Sequence, residues 1–254
     1  MTTARPSTGR SSARLEVRQP GVGQVMAIAG RDTRAVLGSL FGVGLVAGFS
    51  ALSGVLVVVD LRGDEAVLND WFGALYVAMG LLAAVLTMRS FADEERTGEL
   101  ELLLTAPLRT WQIVAGKFVG AVTVLGVVIV CTVACPLVVA AMGDPDAGPI
   151  VTGYVGLLAV GLAFVAAGLA VSASTTSPLV STAGTAGLLL ALWFGGLLGA
   201  GLRGRPRVIL DDFSPATHVT GFLRGTLGVA DLWYFASFAV VGLAATMMVV
   251  RWRR

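Results

Sequence analysis

The side chains that could do chemistry in this sequence are few, and most of them stand in one stretch. Between Arg89 and Gln112 lie Asp93, Glu94, Glu95, Arg96, Glu99 and Glu101, and among and after them Leu100, Leu102, Leu103 and Leu104. The first half is too polar to enter lipid and the second is an apolar cluster, a combination that fits a docking surface for another chain. An ordinary solvated loop, held out of a bilayer by its charges, is the alternative. Gly98 can break or redirect a helix there, and Pro107 disfavours helical backbone at Ala106, so the segment is expected as two short helices with a bend. Elsewhere the chemistry thins out. Cys131 and Cys135 are spaced to share one helix face and touch a soft ion such as Cu(I). Two thiols with no third ligand nearby read better as small packing residues, and consecutive helical turns are a poor disulfide geometry. His218, the only histidine, reads as an exposed or interfacial loop residue rather than a ligand. No Ser/His/Asp or His/Glu group stands at catalytic or zinc-binding spacing, which leaves a membrane-embedded hydrolase little support. Nor is there a phosphate-binding Gly-x-x-x-x-Gly-Lys-Ser/Thr, because the one Gly-Lys pair, Gly116-Lys117, runs into Phe118. Any ATP that drives this protein must be hydrolysed by another chain.

Membrane helices must position these residues. Of 254 residues 56% are hydrophobic and 13% charged, about half the charge that a water-soluble surface needs, and the mean hydropathy is +0.83. A net charge of +2 offers no basic surface to nucleic acid. Runs long enough to cross about 30 Å of hydrocarbon occur at 36–59, 71–88, 113–142, 150–173, 179–202 and 233–250, which predicts an all-α integral membrane protein with six transmembrane helices. An even number returns both termini to one side. Thirteen Lys and Arg fall on that side against five on the other, Arg62, Arg203, Arg205, Arg207 and Arg224, so both termini are expected in the cytoplasm.

Residues 1–21 read as a disordered cytoplasmic tail and 22–254 as the transmembrane domain. The basic N-terminal stretch has no apolar core of its own, so the first span is expected as a retained signal-anchor. Val22, Val25, Met26 and Ala29 can share a helical face, with Arg31, Asp32 and Arg34 near the membrane end. That pattern predicts an interfacial helix under the first span; an unstructured basic flank that only sets topology is the alternative. Lys117, the sole lysine, is expected to snorkel from the cytoplasmic end of its span. The spans hold no Asp, Glu or His, which disfavours a built-in proton relay, while serine, threonine and backbone carbonyls leave sodium binding open. Gly38/Gly42, Gly44/Gly48, Gly116/Gly120 and Gly195/Gly199 have the four-residue spacing of close helix contacts, within the fold or between copies. Pro136 and Pro178 mark a kink and a tight turn.

The run Phe91-Ala-Asp-Glu-Glu-Arg-Thr-Gly-Glu-Leu-Glu-Leu-Leu-Leu-Thr-Ala-Pro107, inside the stretch Met88 to Phe118, resembles the signature of ABC-2 type permeases, the membrane subunits of a class of ABC transporters. The likeness is greatest to the gliding-motility and copper-maturation permeases. Phe213-Ser-Pro-Ala-Thr-His-Val-Thr-Gly221 and the residues on to Phe235 are similar to the segment such permeases carry before their last span. The resemblance implies a coupling helix that docks in a groove of a nucleotide-binding subunit, with Glu94, Glu95, Arg96, Gly98, Glu99 and Leu100 as its contact positions. Carboxylates there would pair with the partner's arginines, and leucines would be the buried anchors. It also implies an amphipathic elbow helix at 22–34 and an outer re-entrant hairpin at 213–232, in which Gly221, Gly225 and Gly228 allow tight turns and Gly221, Arg224 and Gly225 are the site positions. The arginines at 203, 205, 207 and 224 run against the positive-inside trend: either they meet anionic lipid or substrate outside, or the fifth span is misplaced.

The expectation is therefore a plasma-membrane permease subunit, itself not an enzyme and without a cofactor, since ATP and magnesium would sit in a separate ATPase subunit. It would pair with a second copy or a paralogue amid membrane lipid, without nucleic acid, and export a hydrophobic or amphipathic molecule by alternating access. A mechanotransmitting or assembly subunit acting on an envelope partner is the alternative, and a stand-alone channel or sodium-coupled carrier a third.

Overall fold

A chain in hydrocarbon must satisfy its backbone N–H and C=O groups within each segment, and a helix does so. The computed structural model describes residues 21–60, 68–98, 108–143, 146–195 and 210–253, and among these there is no strand. Residues 1–20 of the expected tail, Arg62, Glu99, Leu100, Gly199, the Arg203, Arg205 and Arg207 patch, and the Arg96 side chain lie outside what is described, while Gly21, the last residue assigned to the tail, is helical. In chain order the helices are α1 (Gly21–Leu37), α2 (Leu40–Asp60), α3 (Asn69–Thr87), α4 (Ala92–Thr97), α5 (Thr110–Thr132), α6 (Ala134–Met142), α7 (Ala147–Ser174), α8 (Pro178–Trp193), α9 (Pro215–Leu223) and α10 (Val229–Trp252). Five stretches, Leu40–Asp60, Asn69–Glu95, Thr110–Met142, Ala147–Ser174 and Val229–Trp252, are long and apolar enough to cross a membrane. The span expected at 179–202 is helical over the 16 residues Pro178–Trp193, about 24 Å at 1.5 Å per residue, and 196–202 lie outside the described residues.

Local chemistry sets the breaks. At the corner between α1 and α2 the Ser39 hydroxyl donates to the Val36 carbonyl at 2.7 Å and accepts from the Gly42 N–H at 3.1 Å. A Cβ at Gly42 would overlap that carbonyl, so Gly38 and Gly42 serve this corner and not a contact between spanning helices. Pro136 has no N–H to offer the Thr132 carbonyl, and the third span breaks at Val133 into α5 and α6. That break also puts Cys131 and Cys135 on different helices. Asp146 caps α7, accepting from the Gly148 N–H at 3.0 Å, and Pro178 opens α8 in its first turn.

The bundle is built around α7, which packs against α3, α5, α8, α9 and α10. Glycines let neighbours come this close: added Cβ atoms would lie 2.7 Å from the Phe72 ring at Gly153, 2.5 Å from the Tyr76 hydroxyl at Gly156, 2.6 Å from Leu125 at Gly161 and 2.3 Å from the Thr87 hydroxyl at Gly168. Trp71, Phe72, Tyr76, Phe164, Phe222 and Phe235 fill the core. Buried aromatic donors find carbonyls, Trp71 Nε1 donating to Ser53 O at 3.0 Å and the Tyr76 hydroxyl to Gly153 O at 3.0 Å, as a site without water requires. Gly242 of α10 faces the α7 backbone, where a Cβ would come 2.8 Å from the Ala166 carbonyl carbon. Because backbone cannot yield as a side chain can, Gly242→Leu is expected to lower the unfolding temperature in detergent by about 5 °C. Gly44→Leu, where an added Cβ meets nothing within 4 Å, should leave it unchanged.

Candidate functional site

The charged stretch of the sequence becomes a site because three helix ends converge on it. α1 lies along α5, burying Val25, Ile28 and Ala29. The seam closes at Gly116, where a Cβ would be 2.7 Å from Ile28, and at Gly120, where it would be 3.2 Å from the Ala29 carbonyl. The expected amphipathic helix is present, but its apolar face is divided: Val25 and Ala29 pack inward while Val22 and Met26 stay 65% and 59% exposed. This packing carries Arg31 and Asp32 to the level of Lys117.

Lys117 sits two turns into α5, and its side chain is 1% exposed. It does not snorkel. Its Nζ lies 2.7 Å from Oε2 of Glu94 and 3.6 Å from Oδ2 of Asp32, and donates to the Ser90 carbonyl at 2.5 Å. The Phe91 ring lies 5.0 Å away on centroid. Glu94 holds Arg31 as well, Nη2 to Oε1 at 2.9 Å, while Arg31 Nε reaches Oδ1 of Asp32 at 3.1 Å. A cation taken out of water needs charge and hydrogen bonds in return, and α1 and α4 fold over Lys117 to provide both. Beside this cluster a cavity of about 460 Å³ is lined by Phe41, Arg89 and Asp93 among others. There Arg89 Nε pairs with Asp93 at 3.2 Å.

α4 is pinned on two further sides. The Ser172 hydroxyl, at the end of α7, accepts from the backbone N–H groups of Phe91 and Ala92 at 3.2 and 3.3 Å, satisfying donors that a helix start leaves open. Glu95 pairs with Arg253, just past α10. α4 then ends at Gly98, which is exposed and left-handed with φ +79°, the break its residue type predicts. Of the coupling positions, then, Glu94, Glu95, Arg96 and Gly98 form α4 and its cap, and Glu99 and Leu100 lie outside the described residues. Within this chain Glu94 and Glu95 already hold Lys117, Arg31 and Arg253, so their carboxylates tie α4 to its own bundle. Sequence reasoning missed Asp32, Lys117, Ser172 and Arg253 as members of this site. The available signal was Lys117 itself, since an isolated charge within an apolar span nearly always has a partner.

At the opposite end α9 turns back beside α7. Phe222 packs on Gly156, about 13 Å along α7 from its start, and its carbonyl accepts from the Thr152 hydroxyl at 2.7 Å. Gly225 takes φ +78° against Pro149, and Gly221 faces the Asp231 carboxylate. The exposed Arg224 shares a cleft with Asn69 and Asp70. His218, expected in a loop, stands in α9 with its side chain only 21% exposed.

The model of the ABC-2 family transporter proteins matches residues 20–205. The chain belongs to that family. As an ABC-2 family member it is a multi-pass membrane protein and a permease subunit of an ABC transporter, a transport subunit of the kind that associates with an ABC ATPase. The match takes in α1 to α8, with α4 and the Lys117 cluster, while α9, α10 and the Phe213–Phe235 likeness lie beyond it. No curated protein matches the sequence at a significant level.

Proposed function

We propose that this ABC-2 permease exports a hydrophobic or amphipathic molecule, that two copies or a copy and a paralogue form the path, and that α4 with the stretch to Pro107 is where the ATPase docks. The observation that carries this reading is the fixing of α4: one six-residue helix is held to α5 by Glu94–Lys117, to α7 by Ser172 and to α10 by Glu95–Arg253. A load applied to so short an element passes to three spanning helices at once. At Gly98 the chain leaves α4 and enters the acidic and leucine-rich residues that suit a docking surface. ATP and magnesium belong to the partner, where phosphoryl transfer takes place. The Lys and Arg bias supports a cytoplasmic position for this end and for both termini. An apolar groove of about 420 Å³ between α7, α8 and α10, lined by Val171, Leu188, Leu192, Phe238 and Val241 among others, supports an apolar substrate over a bare ion.

Co-purification in mild detergent tests the proposal. An ATP-binding subunit is expected to accompany the wild-type chain and to be lost with Leu100→Asp at unchanged membrane expression. Transport of solute by the pure chain in liposomes lacking any ATPase would overturn it in favour of a channel or carrier. Gly98→Val forces a side chain into the left-handed region at about 1–2 kcal/mol. It is expected to weaken ATPase binding roughly tenfold, measured by titrating the ATPase subunit onto the permease in nanodiscs.

A further inference from the structure

The end of the bundle away from α4 holds the only histidine of the chain, and its two ring nitrogens face the same kind of partner. Nδ1 lies 2.9 Å from Oδ1 of Asp231 in the first turn of α10, and Nε2 lies 3.1 Å from the backbone carbonyl oxygen of Asp212. The ring stacks on Tyr234 with centroids 4.0 Å and planes 17° apart, and the Tyr234 hydroxyl donates to the Phe213 carbonyl at 2.7 Å. A carboxylate and a carbonyl are both acceptors. Neutral imidazole has one N–H, so it satisfies one of them and turns a lone pair on the other. Imidazolium has two, satisfies both, and lays its charge over an aromatic face.

Among the described residues, the remaining charged groups of the neighbouring elements are few. Asp211 belongs to the same helical turn as Asp212, and its carbonyl accepts from the Thr217 hydroxyl at 2.8 Å. Arg224, at the end of α9, faces the α3 residues Asn69 and Asp70 across a separate cleft. α7 meets α9 through Pro149, Thr152 and Gly156, none of them charged. His218 thus bridges the turn at 210–213, where the chain enters the hairpin, and α10, by which it leaves.

We propose that the α9 hairpin is a proton-operated latch. With His218 protonated, the 210–213 turn and α10 are bound through one ring. When the proton is lost, the remaining N–H stays with the Asp231 carboxylate, the Asp212 carbonyl faces a lone pair, and the turn loses one of its two ties to α10, keeping the Tyr234–Phe213 hydrogen bond. The latch closes in acid and opens as pH rises. It is independent of the ATPase-docking reading, which concerns the other end of the bundle.

A single histidine makes the test direct. In full-length chain labelled with 15N-histidine and held in nanodiscs, the imidazole nitrogen shifts separate imidazolium from either neutral tautomer. Hydrogen exchange at residues 211–228, corrected for its intrinsic pH dependence, reports the hairpin at about pH 5.5 and about pH 8.5, which bracket the range where histidine changes charge. The expected result is imidazolium with a protected hairpin at the lower pH, and neutral imidazole with at least tenfold faster corrected exchange at the higher. His218→Gln should flatten the response, and so should His218→Phe, which keeps a ring on Tyr234. The latch is overturned if the ring is neutral at both values with the hairpin equally protected, or if either variant keeps the pH step.

Discussion

Lys117→Met is expected to destabilise the chain strongly. Methionine fills the volume of the lysine stem but removes the charge that faces Glu94 and Asp32. The Glu94 side chain is only 12% exposed, so it cannot recover that interaction from water. Removing one partner of a buried pair costs about 3 kcal/mol or more, which corresponds to a fall of roughly 6–12 °C in unfolding temperature for a domain of this size. Arg31, also bound to Glu94, holds the loss to the lower part of that range. The double variant Lys117→Met, Glu94→Gln should recover more than half of the loss, because the carboxylate left without its cation is then gone. Salt should change little, since a pair this buried is poorly screened. A Lys117→Met chain with wild-type unfolding temperature would contradict the placement of the lysine.

Gly116→Leu is expected to approach the same size by another route. Even a Cβ there would lie 2.7 and 2.8 Å from Ile28 and 3.2 Å from the Val25 carbonyl oxygen, so a full leucine side chain must push α1 off α5. Overpacking of this kind costs about 1–3 kcal/mol directly. The displacement also carries Arg31 and Asp32 away from Glu94 and Lys117, so part of the pair energy is lost with it. Limited proteolysis should show α1 cut much faster than in wild type. In combination with Lys117→Met the effects should sum to clearly less than the two single losses, because both variants disrupt one seat. Gly126→Leu on the same helix, where an added Cβ has no neighbour within 4 Å, is the neutral comparison.

What the sequence made legible was what depends on composition and short-range pattern. The apolar runs marked the five helices long enough to span, the apolar spacing of Val22 to Ala29 marked α1, and Gly98 marked the break after α4, whereas the turn at Gly225 is legible only through the family resemblance. Partners distant in sequence were not legible. Lys117 stands out as a charge within a span, but nothing local indicates Glu94 or Asp32, and sequence alone favours a reach for water. The glycines show the same limit. Four-residue spacing marked Gly116 and Gly120 as a close helix contact, and α1 is the helix that makes it. The same spacing at Gly44 and Gly48 faces open space, and at Gly38 and Gly42 it serves a chain corner. The glycines that let the core close, Gly153, Gly156, Gly161 and Gly168, follow no such period because α7 meets a different neighbour on each side. Nothing local in the sequence gives His218 a partner, because Asp231 lies across a hairpin.

Site-specific photo-cross-linking tests most directly the claim that the α4 end is where the ATPase docks. A photoreactive residue is placed at Glu99, just past α4, or at Arg224 in the opposite hairpin, and each labelled chain is assembled with the ATPase subunit in nanodiscs. The proposal predicts a cross-link to the ATPase from position 99 and none from 224. A cross-link from 224, or none from 99 in a complex that still hydrolyses ATP and transports, would contradict it.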